Sequence, residues 1–165
     1  MGIGFIGHPY PEEFPDNFKF IRGNHDRPDL CRKHHNYLGD YGYLEDLNLF
    51  YVSGGFSIDQ WARTVGIDWW EDEELSITEL QEMTDLFVEK KPKIVMSHVL
   101  PIKIAASTLN LSEKINSRTE DALQEAFDRH KPERWYCSHY HQSKTIKGET
   151  LFKVVNTNCF AEWYS

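Results

Sequence analysis

The sequence predicts one α/β domain that spans residues 1–165. Two helix patterns are each followed directly by a strand-like apolar run, and this alternation is typical of α/β folds. A chain of 165 residues corresponds to a single domain. Hydrophobic residues make up 40% of the chain and aromatic residues 14%, which is enough for a core and too much for a disordered chain.

The N-terminal half contains two predicted strands and a predicted short helix. The strands are Phe18–Ile21 and Leu49–Ser53, which are apolar runs that end in glycine-containing turns. Pro28 favours the first turn of a helix, which we expect to run to about His35. The acidic run EDEE at 71–74 is expected to be a solvated segment just ahead of the next helix.

Two capping boxes mark the start of the longer helices. Ser76–Glu79 and Ser117–Glu120 both have the S/T-x-x-E pattern, and each is followed by apolar residues at helical spacing. These helices should end near Lys91 and Lys131, because a proline follows each of these residues.

Strand-like runs follow both helices, and a hairpin completes the domain. The runs are Lys93–Ser97 and Arg134–Ser138. Lys144–Lys147 and Leu151–Val155 form a predicted hairpin around Gly148 and Glu149. The short strands of this last third predict that the sheet becomes antiparallel or mixed there.

The composition limits the partners that the chain can have. A net charge of −8 argues against binding nucleic acid through the overall field, so nucleic acid remains possible only as a substrate. No apolar run reaches membrane-spanning length, and the first residues lack the features of a signal peptide. Three cysteines without a framework spacing indicate reduced thiols, so we expect a cytoplasmic protein without a membrane partner.

Polar side chains follow three of the predicted strands. The segment GNHD, Gly23–Asp26, follows the first of them. His98 follows the strand after the first long helix, and SHYH, Ser138–His141, follows the strand after the second. Because sites in open α/β sheets gather outside the carboxyl ends of strands, these three ends could converge on one crevice.

The histidine pair of SHYH is the most informative part of this pattern. In an extended segment residues i and i+2 point the same way, so His139 and His141 should share a face. Together with His98 and the amide oxygen of Asn24 they would form a coordination shell, and imidazole suits Zn, Mn and Fe. Simpler interpretations remain open, since GNHD could be only a turn and a single His after a strand is more often structural.

In their order along the chain, GNHD, the isolated His98 and SHYH resemble the signature of the calcineurin-like metallophosphoesterases. That signature runs D-x-H, G-D, G-N-H-[DE], H, G-H-x-H, and Ser138 stands here in place of its last Gly. The segment 54–76 is also similar to the one that follows GNH[DE] in phage and bacterial members. The resemblance covers essentially the whole chain and implies a β-sandwich of mixed sheets flanked by helices.

The resemblance implies a two-metal phosphoesterase chemistry. Asn24, His98 and His139 would bind the second divalent ion, and His141 would bind the first. Mn, Zn or Fe would be the cofactor, and a hydroxide held by the ions would attack the phosphorus of a phosphoester substrate in line.

The resemblance also implies roles for the residues around GNHD. His25 would be the catalytic histidine, which stabilises the phosphoryl group or protonates the leaving oxygen, and Asp26 would orient it. Arg22 and Arg63 are weaker candidates for binding the phosphate, since Arg matches phosphate oxygens bidentately. A surface position is the simpler interpretation of Arg63.

The chain carries neither D-x-H nor G-D ahead of GNHD. In the family these segments supply an Asp and a His for the first metal and the Asp that bridges both metals. We therefore expect an N-terminally truncated member that binds one ion, hydrolyses poorly and self-associates through an exposed sheet edge. His8, Asp16 and Asp40 are the nearby residues that could substitute for the missing ligands.

Two other functions remain open at this point. The first is a catalytically inactive scaffold of the same fold that keeps one metal and works through protein contacts. The second is a zinc-stabilised interaction module, although its ligand spacing fits no zinc-ribbon pattern; its ligands would be Cys137, His139, His141 and Cys159.

The remaining histidines are expected to be solvent-facing helix residues; these are His34, His35 and His130. The sequence does not fix whether the substrate is a phosphoprotein, a nucleotide or a nucleic acid.

Overall fold

A six-stranded mixed sheet is the main feature of the computed structural model, which describes residues 2–3, 14–109 and 116–156. The strands in this part of the chain are β1 (Gly2–Ile3), β2 (Phe20–Ile21), β3 (Tyr41–Leu44), β4 (Leu49–Val52), β5 (Ile94–Ser97), β6 (Arg134–Cys137), β7 (Lys144–Ile146) and β8 (Leu151–Val154). The large sheet has the order β3-β4-β5-β6-β8-β7, with four parallel central strands and an antiparallel strand at each edge. The other two strands, β1 and β2, form a separate parallel pair. The predicted α/β class with a mixed sheet is confirmed.

Helices flank this sheet. Among the described residues they are α1 (Pro28–Cys31), α2 (Ile77–Lys90), α3 (Ile102–Leu109) and α4 (Arg118–Arg129), with short 3-10 turns at Glu45–Leu47 and Gln60–Ala62. The bounds of α2 and α4 lie close to the predicted ones. None of these helices has the length and apolar character needed to cross a bilayer.

The two predicted capping boxes differ in the structure. At the start of α2 the Ser76 hydroxyl accepts the Glu79 N–H at 3.3 Å, and the Glu79 carboxylate accepts the Ser76 N–H at 2.8 Å, so the box is complete. At the start of α4 the Ser117 hydroxyl accepts the Glu120 N–H at 3.2 Å. The Glu120 carboxylate instead accepts the hydroxyl of Tyr140 at 2.6 Å, which ties α4 to the loop after β6.

The main core lies between the sheet and the two long helices. Phe50 of β4 packs against Phe87 of α2 with ring centroids 5.2 Å apart. Trp135 of β6 packs against Phe127 of α4 with centroids 5.9 Å apart. Tyr51 belongs to a smaller buried cluster on the opposite face. Strand β4 is therefore buried on both faces, as is typical of a central strand in a parallel sheet.

The acidic run 71–74 is solvated only in its first half, because Glu71 and Asp72 are exposed whereas the two residues after them are buried. Glu73 and Glu74 are only 3% and 5% exposed. The Glu74 carboxylate accepts hydrogen bonds from the Thr119 N–H at 2.9 Å and the Ser117 hydroxyl at 3.0 Å, at the first turn of α4. A negative charge is stabilised at a helix N-terminus, so these donors offset the cost of burying Glu74.

Helix α1 ends at Cys31, earlier than the predicted end near His35. The chain turns back after α1 to run beside β2, where the Phe20 N–H donates to the Asn36 carbonyl and the Leu38 N–H donates to the Phe20 carbonyl. Pairing with β2 therefore overrides continuation of the helix.

The prediction that three histidines face solvent from helices is wrong for two of them. His34 is half-buried, with its ring centroid 5.5 Å from that of Phe20. His130 is half-buried at the end of α4, where its Nε2 lies 2.9 Å from the Pro92 carbonyl oxygen. His35 is exposed, but it lies in a turn.

Candidate metal centre

The carboxyl ends of β2, β4, β5 and β6 meet at one edge of the fold. The Gly54 N–H donates to the Arg22 carbonyl at 2.9 Å, which joins the ends of β2 and β4. The His98 N–H donates to the Val52 carbonyl and the Ser138 N–H donates to the His98 carbonyl, each at 3.2 Å. These bonds continue the parallel pairing beyond the strands and bring the polar segments after three of them together.

Three atoms that can each donate a lone pair to a metal ion come together at this edge. The Oδ1 of Asn24 lies 2.9 Å from the Nε2 of His98 and 3.3 Å from the Nδ1 of His139, and the two nitrogens are 3.1 Å apart. Ligands of a tetrahedral zinc ion are separated by about 3.3 Å, given metal–ligand bonds of about 2.0–2.1 Å. The spacing of this three-donor cluster therefore suits a small divalent cation.

Hydrogen bonding alone does not explain the three-donor cluster. The amide oxygen of Asn24 is only an acceptor, and each imidazole nitrogen is either a donor or an acceptor. If both nitrogens carry protons, their N–H groups face each other; if one lacks a proton, two acceptors face each other. A cation shared by all three lone pairs removes this conflict, so the residues fit a metal ion.

Burial keeps the two imidazoles of the three-donor cluster in the form that binds metals. His98 is 6% exposed, and burial, followed by the neighbouring His139, lowers its pKa well below the usual value. Burial, followed by His25, lowers the pKa of His139 to about 4. Both rings are therefore neutral at pH 7 and offer a nitrogen lone pair.

A buried chain of hydrogen bonds orients Asn24. Its Nδ2 donates to the Ser57 hydroxyl at 2.9 Å, and that hydroxyl donates to the Glu73 carboxylate at 2.6 Å. The Ser57 N–H donates to the same carboxylate at 2.8 Å. These hydrogen bonds fix the Asn24 amide so that its oxygen faces the imidazoles. Neither Ser57 nor Glu73 is identified as a site residue from the sequence, although both belong to the segment 54–76 that resembles the family.

Replacement of Ser57 by Ala is expected to weaken metal binding by roughly 10–100-fold, as is typical when a partner of a ligand is lost. The hydroxyl that holds the Asn24 amide would be missing, so the amide could rotate. Equilibrium dialysis against Mn²⁺ or Zn²⁺ measures this affinity. The exposed Ser107→Ala, on α3, is the control and should bind like the unmodified chain; equal affinities in all three proteins would contradict the prediction.

Two contacts hold the His98 ring in place. Its Nδ1 lies 3.2 Å from the hydroxyl of Ser138, the residue that departs from the Gly of the family motif. With the proton of the ring on Nδ1, this contact leaves Nε2 free for a cation. On the other side the ring lies against Gly23, where an added Cβ would be 2.6 Å from the His98 Cε1. Glycine is therefore required at position 23 by close approach.

The predicted extended geometry of SHYH is wrong. His139 and His141 have φ angles of 66° and 51°, in the left-handed region, and the Tyr140 N–H donates to the Ser138 carbonyl at 2.7 Å. The segment is thus a tight bend, and the two imidazoles do not share a strand face. His139 is half-buried in the three-donor cluster, whereas His141 is exposed to solvent.

Tyr140 anchors this bend. Its hydroxyl donates to Glu120 at 2.6 Å and accepts the Leu100 N–H at 2.9 Å. We expect Tyr140→Phe to lower the free energy of unfolding by about 1–3 kcal/mol, because the buried partners of the hydroxyl lose a bond. Chemical denaturation measures this loss. Tyr43→Phe is the control, since Tyr43 is partly exposed at a sheet edge; an equally small effect in both variants would contradict the prediction.

His25 lies against a guanidinium group. Arg63 Nη1 is 2.6 Å from the Nδ1 of His25, and Nη2 is 3.0 Å from its Nε2. Arg63 also forms an ion pair with Asp59 at 2.7 Å, and its side chain is only 11% exposed. Burial, then Arg63, lowers the pKa of His25. The interpretation of Arg63 as a surface residue is therefore wrong, because it packs on the predicted catalytic histidine.

Asp26 closes the GNHD turn. Its carboxylate accepts the Gly23 N–H at 2.5 Å, and the side chain is buried. This contact fixes the turn that carries both Asn24 and His25. Asp26 therefore stabilises the conformation of the turn.

Arg22 uses its Nε and Nη1 in structural contacts, whereas its buried Nη2 has no hydrogen-bond partner among the described residues. It is fully buried, its Nε lies 2.9 Å from an oxygen of Asp40, and its Nη1 donates to the Glu73 carbonyl at 2.8 Å. This pattern favours a structural role for Arg22 over the predicted phosphate binding. Burial would raise the pKa of Asp40, but Arg22 and Arg32 hold it below its usual value.

None of the proposed substitute ligands is at the metal centre among the described residues. Asp40 is taken up by Arg22, by Arg32 at 2.9 Å and by the Tyr37 hydroxyl at 2.9 Å, so its proposed role as a ligand is wrong. Asp16 is exposed. His8 lies outside the described residues.

The comparison with protein families decides the identity of this domain. The model of the family described as calcineurin-like phosphoesterase matches residues 5–143. The chain belongs to the calcineurin-like phosphoesterase family. No match is found among curated proteins.

This family member lacks a conventional cluster of metal-binding side chains in the part of the chain that the structure describes. No group of three or more His, Cys, Asp or Glu residues is arranged there to hold an ion. The three-donor cluster has two imidazoles and completes its set with the amide of Asn24. Metal-dependent hydrolysis of phosphoesters is the chemistry of the family.

The zinc-module interpretation does not suit this domain. Cys137 is fully buried in the core between the sheet and the helices, and burial raises the pKa of its thiol well above the usual value. A cysteine binds zinc as the thiolate, and this environment disfavours the thiolate. The other proposed cysteine, Cys159, lies outside the described residues.

Proposed function

We propose that the chain is a metal-dependent phosphoester hydrolase in which Asn24, His98 and His139 hold one divalent ion beside His25. The observation that carries the proposal is the three-donor cluster, whose mutual distances of 2.9–3.3 Å suit a cation and not a hydrogen-bond network. His141, which is exposed to solvent, is the proposed ligand of a further ion.

The ion would polarise a phosphoryl oxygen of the substrate and lower the pKa of a bound water. His25 and Arg63 are the groups proposed to contact the phosphate. Their side chains touch each other, so a phosphate that reaches His25 would lie near the positive charge of the Arg63 guanidinium. Arg binds phosphate oxygens through paired N–H groups. Asp59, which is paired with Arg63, would hold the guanidinium in position.

His25 is proposed to hold a proton at the oxygen that leaves phosphorus, because the negative charge of a bound phosphate would favour the protonated ring that burial and Arg63 disfavour in its absence. Its neighbour Asn24 would fix the ion, so one short turn would set the separation between the ion and this proton donor. Asp26 stabilises that turn through the Gly23 N–H. General acid catalysis of this kind contributes roughly 10²–10⁴-fold to a rate.

The competing function is a scaffold that binds a metal without turnover. The lack of a cluster of three His, Cys, Asp or Glu side chains among the described residues favours it, since two-metal catalysis normally uses several carboxylates. The contact between His25 and Arg63 favours the hydrolase.

The deciding experiment measures metal content and then hydrolysis of p-nitrophenyl phosphate and bis(p-nitrophenyl) phosphate with added Mn²⁺. We expect metal-dependent turnover that is lost in His139→Ala and reduced by about 10²–10⁴-fold in His25→Ala. His35→Ala, which changes an exposed histidine in a turn, is the matched control and should retain activity. Bound metal without turnover would support the scaffold.

A further inference from the structure

A cavity of about 220 Å³ opens beside the metal centre. The side chains of Phe56, Ile58 and Tyr140 give it an apolar wall. Its complete lining among the described residues is Phe56, Ile58, Ser117, Glu120, His139, Tyr140 and His141. The hydrolytic proposal assigns no role to this apolar space.

The cavity borders the three-donor cluster at His139, which belongs to both. His139 lines the cavity, and its Nδ1 also lies 3.1 Å from the Nε2 of His98 in the cluster. Ser57 is buried and holds Asn24, while the residues on either side of it, Phe56 and Ile58, line the cavity. The same short segment thus orients a donor of the cluster and forms the wall of the cavity.

The size of the cavity suits one aromatic ring. An apolar cavity of about 150 Å³ accommodates benzene, so a space of about 220 Å³ holds a six-membered ring with a small substituent. Ile58 lies at its rim and is 67% exposed, so it has apolar surface that a ligand could cover. Burial of that surface would favour binding of an apolar group.

The Glu120 carboxylate in the lining favours a neutral ligand group over an anionic one. Glu120, 4% exposed, lines the cavity, and its carboxylate is bonded to the Tyr140 hydroxyl at 2.6 Å. A second anionic group in the cavity would face this carboxylate in a poorly solvated space, which is unfavourable. A neutral aromatic ring meets no such repulsion.

We infer that this cavity binds the neutral aromatic ester group of an aryl phosphoester whose phosphate lies at the metal centre. The inference rests on the proposed function, because it places the phosphate at the three-donor cluster. It adds the substrate class: phosphoesters of single-ring aromatic alcohols are preferred over phosphoesters of small aliphatic alcohols.

The test compares binding of phenylphosphonate and methylphosphonate to the Mn²⁺-loaded protein by calorimetry, which requires no turnover. The two anions share the phosphonate group and differ in the ring. We expect phenylphosphonate to bind roughly tenfold more tightly, as burial of one ring face predicts. Ile58→Ala should reduce that preference about two- to fivefold, and Phe56→Ala should reduce it further. Affinity for methylphosphonate should stay unchanged in both variants, which shows that they fold and bind metal.

Ile67→Ala is the matched control, because Ile67 is an exposed isoleucine of the same region, at 75%, and does not line the cavity. It should keep the full preference for phenylphosphonate. Equal affinities for the two phosphonates, or a preference that survives both cavity variants, would overturn the inference and leave the proposed function standing. Failure of both phosphonates to bind would overturn the inference together with the proposed function.

Discussion

His139→Ala is expected to reduce the affinity of the chain for Mn²⁺ or Zn²⁺ by about 100-fold or more, which exceeds the roughly 10–100-fold effect of losing a partner of a ligand. The variant removes one of the three donors and leaves Asn24 and His98, which lie 2.9 Å apart. Two neutral donors hold a divalent ion weakly, because structural zinc sites use four protein ligands and catalytic ones use three. Equilibrium dialysis with metal analysis of the protein measures the effect.

The control for this variant is His35→Ala, which removes an exposed imidazole that lies in a turn after α1. It should bind metal like the unmodified chain. His139→Ala should keep the far-ultraviolet circular dichroism of the fold, since His139 lies outside the sheet and helices. Unchanged metal affinity in His139→Ala would show that the ion binds elsewhere on the chain.

Arg22→Met is expected to lower the free energy of unfolding by about 2–3 kcal/mol. Removal of one partner from a fully buried ion pair costs about 3–5 kcal/mol. The effect should be smaller here, because Asp40 is 21% exposed and keeps its pair with Arg32. The Glu73 carbonyl would also lose the hydrogen bond from Nη1. Equilibrium unfolding in urea measures the change.

Arg27→Met is the matched control for Arg22→Met. Arg27 forms an exposed ion pair with Asp29 at 2.9 Å, with side chains 51% and 47% exposed. Surface pairs contribute about 0–1 kcal/mol, so this variant should unfold almost like the unmodified chain. A similar midpoint for the two variants would show that Arg22 contributes no more than a surface residue, and a phosphate-binding role would then regain support.

The sequence predicts the elements of this fold that depend on local patterns. The capping box at Ser76 gives the start of α2, and Pro92 limits its end. The alternation of helices and strands gives the α/β class and places His98 and Ser138 at strand ends. These features depend on residues a few positions apart, which periodicity and capping rules describe.

Long-range contacts explain what the sequence does not predict. The burial of Glu73 and Glu74 depends on Ser57 and on the first turn of α4, which are distant along the chain. Arg63 looks like a surface residue until the fold brings it to His25. Residue type alone carries no signal for such partners, since the same charged residues are solvated in most loops.

The geometry of SHYH differs from the predicted extended segment because of a local bend in the backbone. An H-x-H pattern fits an extended segment, but the chain bends at Ser138 and anchors Tyr140 on Glu120. The left-handed conformation is uncommon for residues other than glycine, so no local rule predicts it at these two histidines. The membership of His98 and His139 in one cluster was nevertheless foreseeable, because it depends on where their strands end and not on the local bend.

Engineering of this protein for heat resistance would conflict with metal binding at His139 and His141, because both residues have a left-handed backbone. A non-glycine residue in this conformation costs roughly 1–2 kcal/mol, a cost that glycine avoids. With φ angles of 66° and 51°, both positions would be free of this backbone cost as glycine. A design procedure that scores only thermostability would therefore replace the imidazoles proposed to bind metal, and the more robust protein would lose them.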